Sequence, residues 1–146
     1  MPVAGTSIGN PLDAWPVYYK VRENGGNLGD IINTIAEDKN IDTLVVQFDL
    51  FRYIRRMVKD RSGAHVKILT NVILKGATEV RSNLGKPVFF SVILDPFSED
   101  ADERKYCLMM KADLEKEGFP VYPALDVTMR SVARLYQYAV RTGEAG

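Results

Sequence analysis

The run Lys-Pro-Val-Phe-Phe-Ser-Val-Ile-Leu at positions 86–94 constrains the fold more than any other stretch. It is a continuous apolar run, too short for a free-standing helix and rich in β-branched and aromatic residues. Such a run reads as a strand covered on both faces, as strands of parallel sheets are. An acidic, polar break follows at Asp95–Asp102, then a helical segment at Glu103–Glu117 in which Tyr106, Met110 and Leu114 share a face. Asp100 or Asp102 is placed to cap it. Gly118 stops it, Phe119–Tyr122 reads as a short strand, and Asp126–Val140 as a last helix. Asp126 is its expected cap, and Met129, Val132, Ala133, Tyr136 and Val140 its expected buried stripe. Strand, helix, strand, helix with short connections is a right-handed parallel unit.

The chain before this unit adds layers to it. Residues 1–9 are small and unpatterned and read as a lead-in from something upstream. Asn10-Pro11-Leu12-Asp13 is a turn signal. Pro16 suits the first turn of a short helix reaching about Arg22, which Asn24-Gly25-Gly26-Asn27 ends. Asn27 then caps a helix over Leu28–Asp38 with Leu28, Ile31, Ile32 and Ile35 on one face, and Lys39-Asn40 turns the chain. Ile41–Phe48 is a strand whose centre, Leu44-Val45-Val46, is apolar on both faces. Asp49–Val66 is a long connection, partly helical, broken at Ser62-Gly63. Val66–Leu84 is the best helix, lined by Leu69, Val72, Ile73, Gly76, Val80 and Leu84, and Gly85 stands where a left-handed terminal residue belongs. Residues 143–146 are expected to fray. The sum is an α/β sandwich with a short parallel sheet.

With 146 residues, one domain is the default. Nineteen basic residues balance nineteen acidic ones, so no global charge favours nucleic acid or a bilayer. The single cysteine, Cys107, excludes an internal disulfide framework and an all-cysteine zinc site, which points to a reducing cytoplasm. No apolar run reaches the roughly 18–20 residues of a membrane span, and no signal peptide is expected.

Ligands of a parallel sheet sit beyond its strand carboxyl ends, which makes Asp49–Lys67, Asp95–Asp102 and Pro123–Asp126 the stretches to inspect. The first holds Arg52, Arg55, Arg56, Lys59, Arg61 and Lys67. Guanidinium forks match phosphate oxygens, but the same spacing, opposite Phe51, Ile54 and Val58, also makes a solvated helix face. Asp95, Glu99, Asp100, Asp102 and Glu103 bind magnesium only if they converge; otherwise they favour a helix start. His65, the one histidine, has no nucleophile motif around it. Cys107 sits inside a helix and reads as packed. There is no G-x-G-x-x-G and no P-loop. No catalytic residue and no metal site is assigned.

Several short stretches in fixed order resemble a known family. They are Asn10-Pro11-Leu12-Asp13; Ala36-Glu37-Asp38-x-x-Ile41-Asp42-Thr43-Leu44-Val45-Val46; Gly85-Lys86-Pro87-Val88; Leu114-Glu115-x-x-Gly118-Phe119-Pro120-Val121-Tyr122; and Val132-Ala133-x-Leu135-x-x-Tyr138. Together they resemble the last flavodoxin-like ligase domain of the NDP-forming (ADP-forming) acyl-CoA synthetases, the superfamily of succinyl-CoA synthetase. The likeness covers about residues 8–140, giving a flavodoxin-like CoA-ligase domain over 10–142.

The resemblance implies a three-layer sandwich that lacks the family's first strand–helix unit, and a role in interconverting acyl-CoA, ADP and phosphate with acid, CoA and ATP. In that family a phosphohistidine in another domain carries the phosphoryl group, and His65 does not match it. The implied fragment is inactive alone and holds no cofactor. Its parent would use ATP or ADP, magnesium and CoA. Its partners would be the CoA-binding, phosphohistidine and ATP-grasp domains, with no nucleic acid and no membrane. Asn10 and Asp13 match the turn motif and are candidate ligand contacts; Arg52, Arg55 and Arg56 are candidates from the basic stretch itself and not from the resemblance. The loop after the first strand departs from the family's small residues and proline, being longer and basic. A second reading is a non-catalytic assembly module whose unpaired sheet edge and apolar Trp15, Phe51 and Tyr53 meet a partner. In either case the isolated chain is expected to form homo-oligomers.

Overall fold

The computed structural model describes residues 15–50, 63–93 and 99–143. The Asn10–Asp13 turn, the basic stretch 51–62, and Asp95 lie outside the described residues, as do the Trp15 side chain, Phe51 and Tyr53. Among the described residues, five α-helices and three strands follow in chain order: α1 (Trp15–Glu23), α2 (Leu28–Ala36), β1 (Leu44–Phe48), α3 (Ala64–Glu79), β2 (Val88–Val92), α4 (Ala101–Lys116), β3 (Val121–Tyr122) and α5 (Leu125–Thr142). The strands are all parallel and lie in sequence order, β1-β2-β3. Leu44 pairs with Val88 and Phe48 with Val92; Phe90 pairs with Val121.

β2 is the centre of the sheet, and all five of its residues are buried. Val88, Phe90 and Val92 point into the main core with Leu44 and Val121. That core is closed by Ile32 and Ala36 of α2, Val66 and Ile73 of α3, and Tyr106, Met110 and Leu114 of α4. Right-handed crossovers between strands in sequence order put their connecting helices on one face. Phe89 and Ser91 alternate to the other face and are buried too. α5 touches all three strands without joining the main core, and covers that second face.

The helix ends follow local chemistry. Asn27 Oδ1 accepts from Gly29 N at 2.8 Å, and Asp30 Oδ2 accepts from Asn27 N at 2.7 Å, a reciprocal cap. Asp100 caps α4, its Oδ1 accepting from Asp102 N and Glu103 N. Gly76 of α3 crosses α2 at Gly29 so closely that a Cβ on Gly76 would lie 2.6 Å from Gly29 Cα. Lys86 Nζ donates to Ala36 O at 2.5 Å and Asp38 O at 2.9 Å, tying the end of α2 to the start of β2.

Four expectations are corrected. β1 begins at Leu44, not Ile41, and is only half covered on its second face: Val45 is half-buried and Gln47 exposed, because one helix cannot blanket three strands. Leu84 leaves the buried stripe of α3 and is 40% exposed. The last turn, Val80–Leu84, is π-helical, and its extra residue per turn rotates Leu84 outward. Asp126 does not cap α5; Ala124 holds that position with no side-chain bond, and Asp126 pairs instead with Arg130 at 2.7 Å. Most of the stripe expected to bury α5 faces out: Met129 is 51%, Tyr136 67% and Val140 54% exposed, while Val132 is half-buried. The helix rests on Thr128, the one fully buried residue it has.

Candidate functional site

The carboxyl ends of β1 and β2 run into Asp49, Leu50 and Ile93. α4 starts beside them and brings Glu103 and Cys107 to the same edge. Both are buried, Glu103 to 2% exposure and Cys107 completely. The Cys107 Sγ lies 3.9 Å from the Ile93 carbonyl. Burial pushes its pKa from 9.0 up to about 12, and the Glu103 and Asp49 carboxylates add to the shift. A negative neighbour disfavours a thiolate as burial does. The thiol is therefore protonated at neutral pH and offers neither nucleophile nor soft metal ligand.

The rest of the acidic cluster is structural where it is described. Asp100 caps α4, while Asp102 and Glu103 stand in its first turn, where the helix dipole favours them. Glu99 is exposed. No group of three or more His, Cys, Asp or Glu side chains able to hold a metal occurs among the described residues. His65 is exposed in the first turn of α3. Asn10, Asp13, Arg52, Arg55 and Arg56 all lie outside the described residues, so the described part of the edge brings none of them together. What it does hold is the buried Glu103 carboxyl and Cys107 thiol, with Asp49 exposed beside them.

Two further features escaped the sequence reading. Ser91 Oγ is fully buried and makes no hydrogen bond. It is the lone polar side chain inside the apolar run of β2, and that isolation was its only signal. A polar cleft of about 230 Å³ opens between α2 and the π-helical turn, lined by Asn33, Glu37, Glu79, Asn83 and Leu84. Asn33 Nδ2 donates to Glu79 Oε2 across it at 2.6 Å. Its carboxylates and amides suit solvent or a cationic group, and no nucleophile stands in it. Nothing in the sequence announced a π turn.

No family model matches the chain, and neither a curated protein nor a solved structure does. Among the described residues, no helix is long and apolar enough to cross a membrane.

Proposed function

We propose that the chain is a non-catalytic, flavodoxin-like domain of an NDP-forming acyl-CoA synthetase, contributing to the surface on which the phosphoryl-carrying segment docks. One observation carries the reading: the motif stretches that suggest the family fall, in order, on successive joints of one parallel sheet. Ala36–Val46 leads from α2 into β1; Gly85-Lys86-Pro87-Val88 ends the π turn and opens β2; Gly118-Phe119-Pro120-Val121-Tyr122 leads from α4 into β3. These segments are framework. Lys86 closes α2, and Phe119 stacks edge-on against Phe90 at 5.5 Å.

The family's first strand–helix unit would pair beside β1, whose outer edge has no neighbouring strand among the described residues. The reaction needs groups this domain does not supply: the histidine, CoA, ATP or ADP and magnesium belong to the parent enzyme. A cytoplasmic location goes with such a parent.

The test is biochemical. The purified chain alone makes no ATP from acetyl-CoA, ADP and phosphate. Supplied with the CoA-binding, phosphohistidine and ATP-grasp portions of such a synthetase as separate polypeptides, it elutes with them as a complex in size-exclusion chromatography. Turnover by the chain alone, or separate elution, overturns the reading. Separate elution would leave the second reading, an assembly module, which is favoured by the exposed apolar stripe of α5.

A further inference from the structure

The stripe on α5 is wrong for a monomer. Leu125, Met129, Val132, Ala133, Tyr136 and Val140 recur at spacings of three and four along one side of the helix. On this helix such a stripe belongs in an interior, yet Leu125, Met129, Tyr136 and Val140 are 38–67% exposed. Thr128 takes the sheet-facing side with the half-buried Ser131, Val132 and Ala139, so Val132 marks the border between the sheet contact and the exposed stripe. Contiguous apolar patches of a few hundred Å² mark interaction sites.

The stripe also has a symmetry. Leu125 and Val140, Met129 and Tyr136, and Val132 and Ala133 are three pairs, each equidistant from the Val132–Ala133 bond. A two-fold dimer interface requires such self-complementarity, because the same patch must meet itself reversed. Two copies of α5 laid antiparallel bring Leu125 onto Val140 and Met129 onto Tyr136. The small Ala133 sits at the crossing, where close approach is needed. Antiparallel packing also sets the positive N-terminal end of one helix dipole beside the negative C-terminal end of the other.

We propose that a second copy of this chain covers the stripe, through an antiparallel α5–α5 contact about a two-fold axis at the Val132–Ala133 bond. This inference is independent of the synthetase reading. A pair of helices of this length buries on the order of 1,000 Å², the low end of specific interfaces, which fits a reversible dimer.

Sedimentation velocity on the full chain across a concentration series tests it. The wild type shifts from monomer to dimer between about 1 and 100 μM. Tyr136→Lys and Met129→Glu each weaken the dimer about tenfold or more, and circular dichroism melting shows the monomer fold unchanged, since both positions are exposed. Ala133→Cys cross-links to its own copy under mild oxidation, whereas Arg134→Cys, on the opposite side of the helix, does not. A chain that stays monomeric throughout, a dimer indifferent to Tyr136→Lys, or a monomer that binds vesicles of anionic phospholipid through the stripe overturns the proposal.

Discussion

At the scale of single residues, the tightest constraint is the crossing of Gly29 and Gly76. Alanine at either site gains helix propensity, about 1 kcal/mol over glycine. Packing opposes it: the added Cβ would meet backbone, 2.6 Å from Gly29 Cα in one case and 2.8 Å from Val72 O in the other. Neither contact is the end of a flexible side chain, so the helices would have to separate. Gly76→Ala is expected to lose about 1–3 kcal/mol, read as a lower guanidinium midpoint. Gly63 is constrained twice, by a φ of +74° and by the Tyr106 ring 2.5 Å from its virtual Cβ. Ser91 points the other way. Its buried hydroxyl has no partner, so Ser91→Ala should raise stability by about 1 kcal/mol in the same denaturation assay. Cys107 makes folding pH-dependent. Its native pKa near 12 exceeds the unfolded 9.0, so between these values the unfolded chain alone has lost the proton. The stabilisation from the neutral thiol is complete below pH 9 and falls as pH rises toward 12. Urea midpoints of wild type and Cys107→Ala should therefore converge on raising the pH from 8.5 to 11.

At the scale of elements, what could be read from the sequence depended on where the deciding partner lay. β2 was legible because nine successive residues have almost no polar side chain to point at solvent. α2 was legible because Asn27 and its apolar face are local. β3 was harder. It shrinks to Val121–Tyr122 because Phe119 is a core ring under Arg81 and Pro120 has no N–H to give the ladder, although its carbonyl still accepts from Phe90 N at 2.9 Å. Arg81 sits 4.2 Å above that ring and donates to Glu117 O at 3.1 Å. Arg81→Ala should cost about 0.5–1 kcal/mol, measured by thermal melting. The burial of α5 was misread because periodicity locates an apolar stripe but cannot say whether the chain's own sheet or another molecule covers it. Of the candidate site, the packed cysteine and the capping role of Asp100 were legible. The buried Glu103 and the lone Ser91 were not, since each owes its setting to strands distant in sequence.

At the scale of the whole molecule, the two faces of the sheet are unequal. Among the described residues, α2, α3 and α4 close one side over Phe90, Ile73 and Leu114, while α5 alone lies on the other. Local opening costs least where few apolar groups are buried. Amides of α5 should exchange with deuterium orders of magnitude faster than those of β2 in a dilute sample, and comparable rates would contradict the unequal layering. The bond from Lys86 to the end of α2 reaches back 50 residues. A nascent chain growing at about 5–20 residues per second must therefore carry α2 with its last carbonyls unclosed for roughly 3–10 s. Until Lys86 is added, the Asn27–Asp30 cap holds only the opposite end of that helix. Closure of α2 in the first half of the chain therefore waits for Lys86 in the second.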